Sequence, residues 1–241
     1  MSKSLVIIPT YNEIENIEAI IRAVFSLNTF FDVLIVDDSS PDGTSATVME
    51  LQKEYKNRLF IEIRTKKSGL GTAYVHGFKW SIKNNYDYVF EMDADFSHNP
   101  SDLEKLHQAC HDDGSDVAIG SRYITGVNVV NWPLNRVLLS YFASVYVRLI
   151  TGMKIRDTTA GFVCYKTKVL KSIDLDRIKF IGYAFQIEMK YRAFANNFKI
   201  YEVPIIFTDR AKGQSKMSGS IIKEAVFGVI TLRIKKMFNL L

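Results

Sequence analysis

The stretch Val33-Leu34-Ile35-Val36-Asp37-Asp38-Ser39-Ser40-Pro41-Asp42-Gly43-Thr44 decides how the rest of the chain is read. Four apolar residues without alternation describe a strand covered on both faces. The run stops in a dense cluster of turn-forming residues. A helix is predicted next over 46–55 and a strand over 59–64. Upstream, Leu5-Val6-Ile7-Ile8-Pro9 is a second continuous apolar run, and a helix over 15–27 puts Ile17, Ile20, Ile21 and Val24 on one face. Downstream, Gly69-Leu70-Gly71 opens a helix to 83, and a strand over 88–92 runs into Asp93-Ala94-Asp95. Ser101-Asp102-Leu103-Glu104 reads as a capping box, and 116–123 as another strand. This rhythm implies an α/β fold, a mostly parallel sheet with helices on both faces. Ligands of such sheets bind beyond the carboxyl ends of the strands, where the polar clusters after Ile8, Val36 and Met92 fall.

The second half is less regular. An amphipathic helix is predicted over 133–150, a strand over 157–165, a helix over 184–196, a strand over 199–207, a polar loop over 208–218 and a last amphipathic helix. With no repeat and no linker rich in Pro, Gly or Ser, residues 1–241 read as one domain.

Charge divides the chain more sharply than its net +5 indicates. Residues 1–121 carry 11 Lys/Arg and 19 Asp/Glu (−8), and residues 122–241 carry 20 and 7 (+13). An acidic half joined to a basic half points to cation handling in one and to anions or a membrane surface in the other. A hydrophobic fraction of 47% excludes disorder. Cys110 and Cys164 are too few for a disulfide framework and read as reduced thiols of a cytosolic protein. The N-terminus lacks signal-peptide features. The apolar run 137–147 is too short to span a bilayer, and 220–241 is interrupted by charges, so it could lie on a membrane but not cross one. His107 and His111 are spaced i, i+4 but have no evident further ligand, so a surface helix is expected there.

Asp93 and Asp95 are the sharpest chemical feature. In an extended segment they would point to one side and converge on a hard cation, with water and phosphate oxygens completing the shell. The alternative is a solvated acidic turn. Asp37 and Asp38 admit turn chemistry or recognition of a base or ribose. Glu13 admits an acidic first helical turn or ligand recognition.

These stretches, Pro9-Thr10-Tyr11-Asn12-Glu13, Val36 to Thr44 and Met92 to His98, resemble inverting nucleotide-sugar glycosyltransferases of family 2 with the GT-A fold. Gly120 to Tyr123, Trp132 to Arg136, Asp157 to Phe162, Gly182 to Met189 and Arg210 to Lys216 resemble the dolichol-phosphate (polyprenol-phosphate) mannosyltransferase branch. The resemblance implies that Pro9, Tyr11, Glu13, Val36 and Asp38 bind guanosine. Asp93, Ala94 and Asp95 would meet the diphosphate of GDP-mannose, with Asp93 and Asp95 holding Mg²⁺ or Mn²⁺. Ser97 stands where some members have a Gln metal ligand, and Ile181 where a Lys often precedes Gly182-Tyr183. Arg210 and Lys216 would bind the donor phosphates, and Arg122 and Arg136 the phosphate of a polyprenyl acceptor. Residues 1–121 thus become the nucleotide- and metal-binding half, 122–218 the acceptor-binding half, and 219–241 a C-terminal amphipathic helix whose apolar face either packs on the sheet or meets lipid. The implied location is the cytoplasmic face of a membrane, bound peripherally. Some members carry transmembrane helices after the catalytic domain, which this sequence does not show, and a separate membrane-anchoring subunit is among the partners the resemblance implies.

Three other readings compete. A transferase using a UDP-sugar differs only in a few pocket contacts. A nucleotidyltransferase would show a Gly-rich loop near the first strand, which Pro9–Glu13 lacks. A non-catalytic membrane or nucleotide-binding protein would not need the full set of carboxylates and phosphate-binding residues. Nucleic acid is not expected as a partner, because no recognised module for it is present.

Overall fold

The computed structural model describes residues 2–209 and 219–238. Seven strands form the central sheet: β1 (Ser4–Thr10), β2 (Phe31–Asp37), β3 (Leu59–Ile63), β4 (Tyr88–Glu91), β5 (Val117–Ser121), β7 (Val163–Lys166) and β8 (Ile200–Pro204). Their order is β3-β2-β1-β4-β7-β5-β8. All neighbours pair in parallel except β7, which runs antiparallel to both β4 and β5. Two-residue strands β6 (Val129–Val130) and β9 (Phe207–Thr208) make a small parallel ribbon beside it.

Two apolar layers explain why the strand sequences do not alternate. Leu5, Ile7, Leu34 and Val36 point into a core that includes side chains of α3 (Leu70–Lys83), α7 (Tyr183–Ala195) and α8 (Gly219–Met237). Val6, Ile8, Val33 and Ile35 point the other way, against α1 (Ile17–Phe25), α2 (Thr44–Glu54) and α4 (Asp102–His111). Successive strand residues face opposite sides, so a sheet buried on both faces needs apolar residues at every step. Close approach of α3 to β1 depends on Gly77, where a Cβ would lie 2.8 Å from two Ile7 carbons.

Helix α5 (Leu134–Thr151) differs from the others: among its side chains only Ser144, Val147 and Thr151 are buried. The short α6 (Thr167–Ser172) follows β7. Since β1 leads leftward to β2 and β3 and the chain then crosses to β4, the strand order reverses between β1 and β4. A crevice opens at the carboxyl edge of such a reversal.

Several expected details differ. The capping box does not form: Ser101 has helical backbone and no side-chain cap. Its backbone N–H donates instead to Asn99 Oδ1 at 3.1 Å, and the Glu104 carboxylate accepts from the Asn28 and Thr29 amides. The strand expected over 157–165 is reduced to Val163–Lys166, because Asp157 turns inward to an arginine partner. The strand over 199–207 is split into β8 and β9 around Ile205-Ile206. Cys110 and Cys164 are buried free thiols, as expected. His107 packs among Phe31, Tyr88 and Phe90, and no cluster of three or more His, Cys, Asp or Glu side chains that could hold a metal occurs among the described residues.

Candidate active site

Three loops leave the carboxyl edge after β1, β2 and β4. In each, one non-glycine residue takes left-handed backbone: Asn12 (φ 59°), Ser39 (φ 54°) and Phe96 (φ 59°). Such conformations are uncommon, most of all for a bulky residue, and concentrate at functional loops. The first two loops are stapled together. Asn12 N–H donates to Ser40 Oγ (3.0 Å), Glu13 N–H to Thr44 Oγ1 (3.1 Å) and Ile14 N–H to Asp42 Oδ2 (3.1 Å).

Asp37 belongs to the scaffold. It is wholly buried and accepts from Thr10 Oγ1 (2.8 Å), Ser40 N–H (2.9 Å) and Ser40 Oγ (2.6 Å). Asp38, also buried, receives Arg64 Nε at 2.6 Å, and Arg64 Nη1 donates to Thr72 Oγ1 of α3 at 2.8 Å. The Lys67 ammonium lies 4.1 Å from the centroid of the Tyr11 ring. Pro9, Tyr11 and Glu13 are half-buried around this corner. The Val36 side chain is entirely inside the core, so only its backbone could meet a ligand.

The segment 94–98 is bent, whereas the carboxylate pair was expected on an extended run. Tyr74 OH donates to Asp93 Oδ1 at 3.4 Å. Asp95, 8% exposed, accepts from Ser97 N–H at 3.1 Å. Ser97 Oγ is buried and has no hydrogen-bond partner among the described residues. Asp93, Asp95 and Ser97 are oxygen donors, the ligand chemistry that a hard divalent cation takes. His98 stacks on Phe162, 4.8 Å between centroids, and burial pushes its ring down to about 4, so it is neutral at pH 7.

Across the crevice is an arginine wall. Arg122 follows β5 and grips Asp157 bidentately, Nε to Oδ2 at 2.7 Å and Nη2 to Oδ1 at 2.6 Å, with Thr159 Oγ1 at 2.9 Å. Burial opposes ionisation of Asp157, but the Arg122 guanidinium outweighs it and holds the carboxyl below its ordinary range. Arg136, in the first turn of α5, stacks on Trp132 at 4.0 Å and donates to Asp209 Oδ1 at 2.9 Å. Arg122 lies 5.4 Å from that same indole. Trp132 therefore joins the two arginines, and its ring also meets Phe207 at 5.3 Å. Phe207 in turn meets His98 at 5.2 Å, and Thr208 N–H donates to Ser97 O at 3.2 Å. This chain of contacts ties the arginine wall to the carboxylate loop. Arg210 and Lys216 lie outside the described residues. Ile181 is exposed, and its carbonyl accepts from Gly71 N–H of α3 at 2.9 Å.

Below the crevice is a buried polar network that residue patterning alone did not single out. Gln186 Nε2 donates to Glu91 Oε2 at 2.8 Å, and Lys190 Nζ donates to Ala160 O at 2.6 Å and Gln186 Oε1 at 3.3 Å. Burial raises the Glu91 carboxyl and lowers the Lys190 ammonium. The sequence signal was a charge set within apolar neighbours: Glu91 between Phe90 and Met92, and Lys190 between Met189 and Tyr191. Arg64 carried a weaker one, a cation immediately past a strand.

Comparison with known proteins defines the class to which this sheet and its loops belong. The family model for glycosyl transferase family 2 matches residues 5–174, and the chain belongs to this family. The chain is 48% identical over 227 residues to the polyprenol monophosphomannose synthase of Mycolicibacterium smegmatis, covering 94% of this chain and 85% of the relative. It is 43% identical to the undecaprenyl-phosphate mannosyltransferase of Micrococcus luteus, covering 93% and 91%. The dolichol-phosphate mannosyltransferase of Pyrococcus furiosus is 38% identical, with 92% of this chain matching 61% of that longer protein. In fold, the chain is similar to glucosyl-3-phosphoglycerate synthase of Mycobacterium tuberculosis, crystallised with Mn²⁺, UDP-glucose and phosphoglyceric acid. The TM-score is 0.70 at 16% identity, over 96% of this chain and 79% of that one.

Proposed function

We propose that the chain transfers mannose from GDP-mannose to a polyprenyl phosphate with inversion, giving polyprenyl β-mannosyl phosphate and GDP. The observation that carries this reading is the pairing of Arg122 and Arg136 around Trp132, joined through Phe207 to the loop of Asp93 and Asp95. The names of the relatives support it. An anionic acceptor needs such a wall: guanidinium forks meet phosphate oxygens and align one of them with the anomeric carbon. Fixed by Asp157, Arg122 contributes field and shape, while the less buried Arg136 is placed to move onto the acceptor. A phosphate monoester has a second pKa near 6, so the nucleophile is already ionised at pH 7 and no general base is required. Its oxygen bonds to the anomeric carbon while the bond to GDP breaks and the electron pair leaves with the diphosphate.

Asp93 and Asp95, with Ser97 beside them, would hold Mg²⁺ or Mn²⁺, which when bound neutralises charge on the leaving diphosphate. Pro9, Tyr11, Glu13 and Asp38 would receive the guanosine, with Arg64 fixing the Asp38 carboxylate. Arg210 and Lys216 would meet the donor phosphates.

The site serves a lipid at the cytoplasmic face of a membrane. Leu134 (71% exposed), Phe142 and Leu149 (78%) of α5 face outward, as do Phe227 (69%), Ile234 and Met237 of α8. Exposed apolar side chains on two basic helices suit an interface. No helix among the described residues is long and apolar enough to cross a membrane. An anchoring subunit would have these faces to bind.

The test is incubation with polyprenyl phosphate, a divalent cation and, separately, GDP-mannose, UDP-glucose and UDP-N-acetylglucosamine. Lipid-linked product from GDP-mannose alone is expected, and product from a UDP-sugar alone would reverse the donor assignment. Asp95→Ala should lower kcat by about a hundredfold or more, as loss of transition-state charge stabilisation does. Full activity in that variant would remove Asp95 from the cation site.

A further inference from the structure

A second group of cations adjoins the arginine wall, whose Arg122 lies 5.4 Å from the centroid of the Tyr123 ring. Tyr123, Tyr141, Arg148 and Arg156 line a cavity of about 150 Å³. Arg148 Nε is buried with no hydrogen-bond partner, and neither arginine forms a salt bridge among the described residues. Arg156 Nη1 donates to the Ile124 carbonyl, at 3.1 Å. The nearby carboxylate, Glu202, is occupied by the backbone N–H groups of Arg156 (2.7 Å) and Asp157 (2.8 Å). Arg148 stands in the last turn of α5, where a cation suits the helix dipole. That accounts for its charge but not for an unsatisfied buried donor, which is costly unless a ligand completes it.

The neighbouring groove supplies the second half of the argument. Val145, Leu149, Met153 and Lys154 line it together with the same Arg148. An apolar channel and a cavity of two guanidiniums and two tyrosines therefore meet at one side chain. Guanidinium forks and tyrosine hydroxyls match a phosphate anion, and the channel matches a hydrocarbon tail.

We infer that Arg148 and Arg156 form a second phosphate subsite, next to the transfer centre but distinct from it, for an anionic phospholipid whose tail lies along Val145, Leu149 and Met153. The inference goes beyond the transfer reading and does not depend on it. Such a site fixes the chain to one lipid and orients α5, and with it Arg136, against the bilayer.

The test is calorimetric titration of the full chain with monomeric dihexanoylphosphatidylglycerol below its micelle concentration. Dihexanoylphosphatidylcholine and inorganic phosphate serve as comparisons at matched ionic strength. A single saturable site for the phosphatidylglycerol is expected, at least about tenfold tighter than for either comparison ligand, because the tail and net charge both contribute. Arg148→Gln/Arg156→Gln should weaken it by about tenfold or more, the scale of lost charge-assisted hydrogen bonds, while mannosyl transfer to a short soluble acceptor is retained. Unchanged binding in that variant overturns the subsite. Inorganic phosphate binding as tightly as the lipid overturns the lipid assignment. Arg136→Ala should lose transfer and keep lipid binding; loss of both would put the phosphate at the transfer centre and overturn a separate site. Should the double variant fail to fold, Leu149→Ser at an exposed position weakens the lipid but not inorganic phosphate, and unchanged lipid affinity there overturns the tail path.

Discussion

Asp157 shows how one side chain sets the geometry of the acceptor wall. It takes Arg122 N–H (3.0 Å) and the guanidinium at Nε and Nη2, so the arginine is fixed from both ends. Asp157→Asn leaves a buried cation without its counter-charge, and equilibrium unfolding at pH 7 should show a loss of about 3–5 kcal/mol. The pH dependence follows from the sign of the shift. The folded carboxyl ionises below its unfolded value of 3.8, so its contribution is complete above 3.8 and is lost as the pH falls further, through the folded value. The gap between parent and variant should therefore narrow below pH 3.8. A gap that stays constant well below that value would assign the stability to packing rather than to the ion pair.

At the scale of elements, α8 packs against two other helices, α7 and α5. Val229 and Leu232 are buried while Phe227, Ile230 and Ile234 are exposed. Tyr146 OH of α5 donates to Val226 O at 2.9 Å, and Lys236 Nζ of α8 donates to Ala195 O at the end of α7, also at 2.9 Å. Leu232→Ala should cost about 2–5 kcal/mol locally. Hydrogen exchange is expected to rise in α8 while β1 and β2 keep their protection, as for a unit that opens on its own. A uniform loss across the sheet would instead make α8 part of the global folding unit.

The whole molecule separates charge along its length, −8 before Arg122 and +13 from it onward. The acidic half carries the carboxylate loop, and the basic half carries the arginine wall and helices α5 and α8. Vesicle sedimentation should show stronger binding to anionic than to neutral liposomes. Arg233→Glu/Lys235→Glu should weaken the anionic case by about tenfold or more, at about 1 kcal/mol per basic residue near the surface. Lys236 is a poorer choice, since its ammonium also satisfies a carbonyl of α7. Equal binding to both vesicle types would remove the electrostatic part of the attachment.

Unbroken apolar runs at Leu5–Ile8 and Val33–Val36 determined a doubly covered parallel sheet, since each residue along a buried strand meets a core on one side or the other. The turn clusters after them placed the crevice, and the motifs around Asp93, Asp95, Arg122 and Arg136 supplied the family. Other features depended on which distant segments meet. The sequence 157–165 has strand-forming residues, yet Asp157 leaves the ladder because a buried Arg122 offers more than a backbone hydrogen bond does. Hydrophobic periodicity could not say whether α5 and α8 turn their apolar faces to the core or outward, because both produce the same pattern. Packing answered that for α5: Ser144, Val147 and Thr151 are buried and Tyr146 and Ile150 pack on the core, while Leu134, Phe142 and Leu149 are exposed. The Trp132 bridge, the Asp38–Arg64 pair, the Glu91–Gln186–Lys190 network and the cavity of Arg148 and Arg156 likewise join residues from separate elements. Local sequence carries the propensity of a segment and the chemistry of a side chain, whereas its partner, and so its charge state and reach, is set only when the chain closes on itself.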